Sequence, residues 1–336
     1  MRENRRNMIS RLIGAVLAAL MTASFSSCER IYEDLEACPH GVSLRFVYDY
    51  NMEFANAFPS KVDCLTLLVY DSEGNYVTTI TEKSDALADE SYRMRLDLAA
   101  GTYRFVAYGG IACERSSFSM IPEPVAGLRH SDLRVVMDAD CLTVQERKNL
   151  HGMYWGELTL STADLYREGV VKMMKNTNNL RIMLQQVDGI KVDNNDYDFF
   201  IEDDNTLFGP DNDLIAAGTV TYTPWTKGQA VVGRLPDGSD VEAAYAELSV
   251  SRLMTKNSPR LIVRRHADGS EVINIPLNNY LLAFKSDLYP NMGKQEFLDR
   301  KSEWPMVFFL GHDMEWMSAY IKIEDWVVRI NDISGI

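Results

Sequence analysis

Apolar and polar residues alternate along much of this chain, and this period of two limits the fold more than any other feature. The alternation is clear over residues 42–48 and 92–98. Residues 62–71 form a more continuous apolar run that ends at "DSEGN", a hairpin turn signal. Side chains that alternate with a period of two indicate β-strands with one buried face. Most of the chain is therefore expected to be strand.

Turn signals separate these short apolar segments at close intervals. Residues 259–265 and 271–277 flank an Asp-Gly turn and predict a second hairpin. Many short strands with turns between them favour antiparallel sandwiches over βαβ units. A helix is expected only near residues 278–289. The predicted fold class is all-β.

The β pattern is weakest at residues 160–169, which suggests a boundary between two domains. We predict an N-terminal sandwich over residues 28–165 and a C-terminal sandwich over 166–336. Together they span enough chain for two hydrophobic cores. Within residues 170–189 a break between two strands is expected around Asn178 and Asn179.

Residues 1–27 have the composition of a secretory signal peptide. Four arginines and one acidic residue precede the apolar stretch Leu12 to Met21, and small or hydroxylated residues follow it. This stretch is shorter than the roughly 20 apolar residues of a spanning helix. The final "FSSC" is similar to a bacterial lipobox, although Phe25 replaces the usual leucine. Cys28 is the predicted lipidation site; the alternative is an ordinary signal peptide with Cys28 in a disulfide.

The chain is strongly acidic, with a formal net charge of −14. Removal of residues 1–27 takes away four Arg and one Glu, which moves the charge to about −17. Binding to nucleic acid or to anionic lipid depends on clusters of Lys and Arg. The charge therefore argues against both kinds of partner, and no nucleic acid is expected.

The remaining four cysteines, Cys38, Cys64, Cys113 and Cys141, allow three pairings, and the sequence does not choose among them. Any bridge is expected within the first domain, since all four lie in the first half of the chain. None of them has the C-x-x-C spacing of a zinc site.

No motif indicates catalysis, a cofactor or a metal. The five histidines form no H-E-x-x-H motif, and neither a G-x-S-x-G motif nor a dinucleotide-binding glycine pattern occurs. Acidic clusters at residues 192–198 and 202–213 lack the full spacing of an EF-hand loop, so turns are favoured over calcium binding. Trp and Tyr residues can form a carbohydrate-stacking surface, but core packing is the favoured interpretation. An enzyme is not predicted.

Several stretches together resemble one family. They include "CERIYEDLEAC", "VDCLTLLVYDSEGNYV", "AAGTYRFVAYGG", "DYDFFIEDDNTLFGPDNDLI" and "YIKIEDWVVRIND". In this order they resemble the FimB-type fimbrial anchor lipoproteins of Bacteroidales, over nearly the whole chain from Cys28. The resemblance implies two consecutive transthyretin-like sandwiches, a lipid on Cys28 in the outer membrane, and a place at the base of a fimbria.

The resemblance also implies assembly by strand exchange with fimbrial stalk or minor subunits. An edge or a missing strand leaves backbone groups unpaired, and a donated strand pairs with them. Stalk subunits lose a leading strand by cleavage after an arginine, whereas an anchor is expected to keep it; Arg30 and Arg45 are therefore given no role. The acidic residues after Cys28 resemble a surface-export signal, with a solvated linker as the alternative: Glu29, Glu33, Asp34 and Glu36.

The C-terminal segment is the candidate donor strand. The residues that carry its apolar pattern are Tyr320, Ile321, Ile323, Trp326, Val328, Ile330, Ile333 and Ile336. An internal edge strand of the second domain is the alternative for residues 320–329. The alternative function for the chain is a surface glycan-binding or tip-adhesin lipoprotein on the same fold, with host or bacterial surface ligands.

Overall fold

A computed structural model describes residues 41–162, 166–283, 285, 289–323 and 326–329. Strands of the first half are β1 (Val42–Val47), β2 (Leu65–Asp71), β3 (Tyr76–Glu82), β4 (Met94–Leu96), β5 (Gly101–Gly109), β6 (Phe118–Met120), β7 (Val135–Met137), β8 (Tyr154–Thr162) and β9 (Arg167–Lys175). Those of the second half are β10 (Thr177–Gln186), β11 (Tyr197–Asp203), β12 (Leu207–Phe208), β13 (Leu214–Ile215), β14 (Val220–Tyr222), β15 (Thr226–Arg234), β16 (Asp240–Ser251), β17 (Arg260–Arg265), β18 (Glu271–Pro276), β19 (Glu303–Leu310), β20 (Trp316–Ile323) and β21 (Trp326–Arg329).

Helices are few and short. They are α1 (Phe58–Lys61), α2 (Asp140–Thr143), α3 (Leu277–Ala283) and α4 (Lys294–Arg300), with 3₁₀ turns at Asp85–Ala88, His130–Asp132, Gln145–Arg147 and Asn194–Asp196. The all-β prediction is confirmed, and α3 overlaps the first part of the stretch 278–289, where a helix was expected. Among the described residues, no helix has both the length and the apolar composition required to cross a membrane.

A seven-stranded sheet with the order β3-β2-β5-β8-β9-β1-β4 forms the first half. Side chains of β1, β4 and β9 share one core with side chains of β2 and β5. The sheet therefore folds over on itself, and its two ends form both walls of a sandwich. The opposite face of β2 packs into the other core through Leu68 and Tyr70. This double burial explains the continuous apolar run at residues 62–71.

The second half contains a six-stranded sheet, β15-β16-β10-β19-β20-β21, and a four-stranded sheet, β14-β11-β17-β18. Alternate residues of β11 are buried, as in the pair Phe199 and Ile201, and they share a core with Leu180 and Ile182 of β10. A further small sheet, β13-β12-β7-β6, joins strands from both halves. The hairpin predicted over residues 259–277 is confirmed, since β17 pairs antiparallel with β18.

Among the strands of the described residues, most pairs are antiparallel, but two are parallel. β1 pairs in parallel with β9, and β10 pairs in parallel with β19. In each half, the first strand thus joins a late strand, and the intervening chain forms the long crossover that parallel pairing requires. The two halves share this arrangement.

The chain passes from the first sheet to the second at Asn176. Its backbone N–H donates to Met153 O at 2.7 Å, and its side chain exchanges hydrogen bonds with the side chain of Asn212. Residues 170–189 contain parts of two strands, as expected, but the break lies at Asn176, because Asn178 and Asn179 are within β10. Trp304 Nε1 donates to the buried Asn178 Oδ1 at 3.2 Å, which satisfies that polar group inside the sheet.

The strand after the predicted domain boundary still belongs to the first sheet. β9 begins at Arg167 and pairs with both β1 and β8. The boundary at residues 165 and 166 thus falls before this strand, and the division into domains remains a prediction.

Candidate functional site: the leading strand and the C-terminal edge

The leading strand β1 lies between β9 and β4. It pairs in parallel with β9, from Val42 opposite Arg167 to Val47 opposite Lys172, and antiparallel with β4. Backbone groups that face β9 are therefore used along the whole strand, and those that face β4 are used from Val42 to Leu44. Removal of this one strand would leave β9 and β4 with unpaired edges, which is the form of an acceptor for another strand.

Side chains of β1 fill a large part of the first core. Val42 and Leu44 are fully buried, and Phe46 packs on Phe58 with ring centroids 5.8 Å apart. Burial of side chains of this size contributes about 1.5–3 kcal/mol each. Retention of β1 is therefore a major contribution to the stability of the first sandwich.

A glycine in β9 makes room for Leu44. A Cβ at Gly169 would lie 3.0 Å from Leu44 Cδ2 and 2.7 Å from Leu158 Cδ2. Leu44 is directly opposite Gly169 in the parallel register. We call the space between β9 and β4 that holds β1 the β1 slot. In this slot, Leu44 and Leu158 occupy the space that a side chain at position 169 would need. Sequence reasoning missed this contact, although a glycine inside a strand often marks a close approach.

Gly41 fixes the point at which the chain enters the slot. Its φ is +114°, and a Cβ at this position would lie 2.0 Å from Leu96 O. Arg167 N–H donates to Gly41 O at 3.0 Å, which continues the ladder with β9. A residue with a side chain would fit neither the backbone angle nor the space. Cys28 and the acids after it lie outside the described residues.

The two arginines considered as cleavage sites have different positions. Arg45 lies in the middle of β1, opposite Val170. Its Nε is buried and has no hydrogen-bond partner among the described residues. Cleavage at this point would require β1 to leave the sheet first. Arg30 lies outside the described residues.

The tyrosines at the far end of β1 extend its core contacts. The ring of Tyr48 packs edge-on against Tyr154, with centroids 5.1 Å apart. Burial, assisted by the negative charge of Glu53, raises the pKa of Tyr48 to about 12. The phenol therefore stays neutral at physiological pH and can serve as a packing group.

The C-terminal candidate segment forms the edge of the six-stranded sheet. β20 pairs antiparallel with β19, and β21 pairs antiparallel with β20, with Ile321 opposite Val328 and Ile323 opposite Trp326. Tyr320 also lies in β20. In the described part of the chain β21 has a strand on one side only. Ile330, Ile333 and Ile336 lie outside the described residues.

One disulfide is present, between Cys64 and Cys113. The prediction that any bridge lies within the first half is confirmed for this pair. Cys141 is free and buried, and Cys38 lies outside the described residues. In the described chain, one group of side chains lies close enough together to hold a metal ion, and it consists of Asp63, Cys64 and Cys113. Because its two cysteine sulfurs are bonded to each other, this group is not a metal centre.

The histidines are dispersed. His151, His266 and His312 each pair with a different aspartate: Asp63, Asp198 and Asp188 respectively. His130 is buried beside Arg104 and Glu157, and its pKa is lowered by burial and then by the Arg104 charge. His40 lies outside the described residues. Among the described histidines, no pair shares a site.

The two acidic clusters form turns. Asp193 Oδ1 accepts from Asn195 N at 2.9 Å, and Asp211 Oδ1 accepts from Asp213 N at 3.1 Å. These short-range bonds are typical of Asx turns. Both clusters thus contain Asx turns, while residues 197–203 between them form β11.

The chain is similar to proteins of one known family. A family model for the fimbrillin-A associated anchor proteins Mfa1 and Mfa2 matches residues 35–332. The chain belongs to this family. The matched residues include β1, its neighbours β4 and β9, and the C-terminal strands β20 and β21.

Solved structures agree with this assignment. A candidate adhesin of Bacteroides thetaiotaomicron is 62% identical, with a TM-score of 0.86, over 89% of this chain and 100% of that chain. A candidate polysaccharide-binding protein of the same organism is 28% identical, with a TM-score of 0.75, over 87% of this chain and 98% of that chain. No match was found among curated proteins.

The fimbrial anchor protein Mfa2 of Porphyromonas gingivalis has the same fold. Its TM-score is 0.66 at 15% identity, over 87% of this chain and 99% of that chain. The predicted resemblance to fimbrial anchors is thus confirmed at the level of the family. Membership in the family gives the chain a fimbrial structural or adhesive role.

Proposed function

We propose that this protein anchors a fimbria to the outer membrane through a lipid on Cys28 and keeps its own leading strand. The observation that carries this proposal is β1, which fills its slot between β9 and β4. A subunit with its slot already filled cannot accept a foreign strand there. That arrangement suits the first subunit of a fimbria, which has no subunit beneath it.

The chain between Cys28 and β1 has a suitable length for a tether. Cys28 lies 13 positions before Gly41, and an extended segment of this length spans up to about 45 Å. Lipid chains on Cys28 would hold the protein in the membrane, since each buried methylene contributes about 0.8 kcal/mol. Glu29, Glu33, Asp34 and Glu36 on this tether would direct it to the cell surface.

Cys28→Ala tests the anchor. We expect the wild-type chain in the outer-membrane fraction and the variant in soluble fractions or the medium. Cys38→Ala is the matched control, since it removes a nearby cysteine without removing the lipid site. Equal membrane recovery of the Cys28→Ala and wild-type chains would contradict lipid anchoring. A deletion strain should shed or lack its fimbriae, and normally attached fimbriae would contradict the anchor role.

The acidic tether has its own test. Replacement of Glu29, Glu33, Asp34 and Glu36 by their amides should leave the protein in the outer membrane but protected from added protease in intact cells. Unchanged protease accessibility would identify the segment as a plain solvated linker.

We also propose that the C-terminal segment joins the next subunit by strand exchange. β21 is four residues long and pairs only with β20 in the described chain. Its release would break few hydrogen bonds, so residues 326–336 can be donated at small cost. A transthyretin-like form of the two halves, which the family resemblance implies, would suit this mode of assembly, because open sheet edges are its acceptors.

A truncation after Ile323 tests the exchange. The truncated chain should stay in the membrane but lose its stalk subunits in a pull-down from solubilised membranes. Its thermal midpoint should remain within a few degrees of the wild-type value, because β21 is a short edge strand. Recovery of stalk subunits with the folded truncated chain would assign the exchange to another edge.

A further inference from the structure

A cleft of about 680 Å³ opens between the first and second halves of the molecule. One wall is the loop after β1, together with α1; the other is the end of α4 and the start of β19. Its volume lies in the range of small-ligand sites. It adjoins the far end of the β1 slot, since Tyr48 and Lys175 of β9 line it, and none of its lining residues belongs to β20 or β21.

The loop that forms one wall is tightly braced. Asn51 Nδ2 donates to Tyr48 O at 2.9 Å and to Ala55 O at 2.8 Å. Ala57 N donates to Tyr48 O at 2.9 Å, which closes the loop. Asn51 Oδ1 is buried and has no partner among the described residues. The loop is therefore held in one shape by its own hydrogen bonds.

This loop displays an aromatic side chain in solvent. Phe54 is 57% exposed, and its φ of +53° is unusual for a residue other than glycine. Core packing does not account for a large apolar ring in this position. Strained backbone around an exposed side chain is most often found at binding sites.

The guanidinium group of Arg300 stacks on the Phe54 ring. Its guanidinium carbon lies 4.8 Å from the Phe54 centroid and 4.1 Å from the Tyr50 centroid. Arg300 Nε donates to Glu296 Oε1 at 2.7 Å, so the guanidinium is fixed from the side of α4. Arg300 lines the cleft, so the two rings that stack on it lie beside the cleft, although neither ring lines it directly.

The cleft has a basic excess, although the chain carries a net charge of −14. Four basic and two acidic side chains line it: Lys61, Lys175, Arg300, Lys301, Glu53 and Glu303. The Lys175 side chain is 13% exposed, and its Nζ is 3.5 Å from Glu303 Oε1 and 3.4 Å from Ser302 Oγ. Both distances are long for strong bonds.

Lys61 and Lys175 both line this cleft. Burial lowers the pKa of Lys175, Glu303 opposes that shift, and the positive charge of Lys61 adds to it. Lys61 is exposed and forms no ion pair within the described chain. A bound anion near both ammonium groups would remove this repulsion and replace the solvent that Lys175 has lost.

We propose that this cleft binds a carboxylate-bearing saccharide, with a sugar ring on Phe54 and the carboxylate at Lys61 and Lys175. An exposed aromatic ring offers a flat apolar face for the C–H face of a sugar. The nearby amides and hydroxyls, such as Asn56 and Ser60, suit the sugar hydroxyl groups. This binding requires neither the lipid on Cys28 nor strand exchange.

Calorimetric titration of the full chain tests the proposal. The ligands are tetragalacturonic acid, a sialic acid tetramer, the methyl ester of tetragalacturonic acid, and hexaglutamate. At least one acidic saccharide should bind, at least tenfold more tightly than the ester and the peptide. Its affinity should fall several-fold when the salt concentration rises from 25 to 250 mM.

Variants then locate the site. Phe54→Ser and Lys61→Gln change exposed residues and should each weaken binding at least fivefold, and Lys175→Met should abolish it. Ile121→Ser and Lys83→Gln change an exposed apolar residue and an exposed lysine elsewhere, and should leave binding unchanged. Failure of both acidic saccharides to bind would overturn the proposal. Equal binding of the ester or hexaglutamate, or unchanged binding by the Phe54 and Lys61 variants, would also overturn it.

Discussion

Leu44 of β1 packs against the backbone of Gly169 in β9, where a Cβ would lie 3.0 Å from Leu44 Cδ2. The two residues are direct partners in the parallel register of the strands. Because the fit depends on a missing side chain, it favours one register of β1 over a shifted one. A shift by one residue would also move the buried face of β1 toward solvent. The contact thus holds the leading strand in its slot.

Gly169→Ala should destabilise the protein by about 1–3 kcal/mol, because the added methyl overpacks the core beside Leu44 and Leu158. Urea unfolding of the wild type and the variant measures this change. Gly233→Ala is the control, since a Cβ there meets nothing within 4 Å. If the two variants lose equal stability, the Leu44 contact does not depend on the glycine.

Gly41→Ala should be more harmful than an alanine at another glycine with positive φ. At Gly41 the new Cβ would lie 2.0 Å from Leu96 O, whereas at Gly127 (φ +95°) it meets nothing within 4 Å. We expect a loss of about 1 kcal/mol for Gly127→Ala from the backbone angle alone. The loss for Gly41→Ala should be about 3 kcal/mol or more, because the clash adds to it.

Thermal unfolding and trypsin digestion distinguish the two glycine variants. Displacement of β1 in Gly41→Ala should expose Arg45 and allow cleavage near the N-terminus, which Gly127→Ala should resist. A similar digestion pattern in both variants would contradict a role for Gly41 in seating β1.

Removal of the Cys64–Cys113 disulfide should lower stability by about 2–4 kcal/mol. The bridge closes a loop with a sequence separation of 49, and its loss restores conformational entropy to the unfolded chain. The double variant Cys64→Ala/Cys113→Ala should show this loss in urea unfolding. A reducing agent should then leave the variant unchanged but destabilise the wild type. Equal sensitivity of both proteins would contradict the pairing.

Asp203 predicts a pH dependence of stability. Asp203 is 4% exposed, and burial raises the pKa of its carboxyl group from 3.8 to about 6. Hydrogen bonds from Asp204 N and Asn257 Nδ2 to Oδ1 oppose this shift only in part. Because the pKa is higher in the folded state, folding takes up a proton between about pH 4 and 6. The stabilisation from this proton is complete below pH 4 and is lost as the pH rises through 6.

Asp203→Asn should remove that dependence. The free energy of unfolding of the wild type, relative to the variant, should fall by roughly 3 kcal/mol between pH 4 and pH 7. Asp237→Asn is the control, because that exposed carboxylate has a lowered pKa, set by its Ser239 hydrogen bonds. Parallel stability curves for the wild type and Asp203→Asn would show that Asp203 does not titrate in this range.

The strands were predictable where one face of a sheet is buried. β4 shows the expected alternation, since Met94 and Leu96 are buried and Arg95 between them is exposed. The pairing direction was not predictable, because parallel and antiparallel strands have the same side-chain period. The parallel pairs β1 with β9 and β10 with β19 depend on which distant segments meet.

The sites were predictable only in part. The C-terminal strands β20 and β21 were expected from their alternation, and their place at a sheet edge follows from the tertiary fold. Phe54 gave no signal in the sequence, because an exposed aromatic residue in a loop looks the same as a buried one. Its exposure depends on a backbone held by Asn51 and on the support of Arg300 from the other half of the chain.

The sequence alone determined the all-β class, the family resemblance and the candidate lipid site, because these depend on local period and on short motifs. Tertiary structure decided that β1 sits between β9 and β4, that Leu44 meets Gly169, and that a basic cleft forms beside Phe54. Each of these contacts joins residues far apart in the chain, so each depends on the packing of whole sheets rather than on any local pattern.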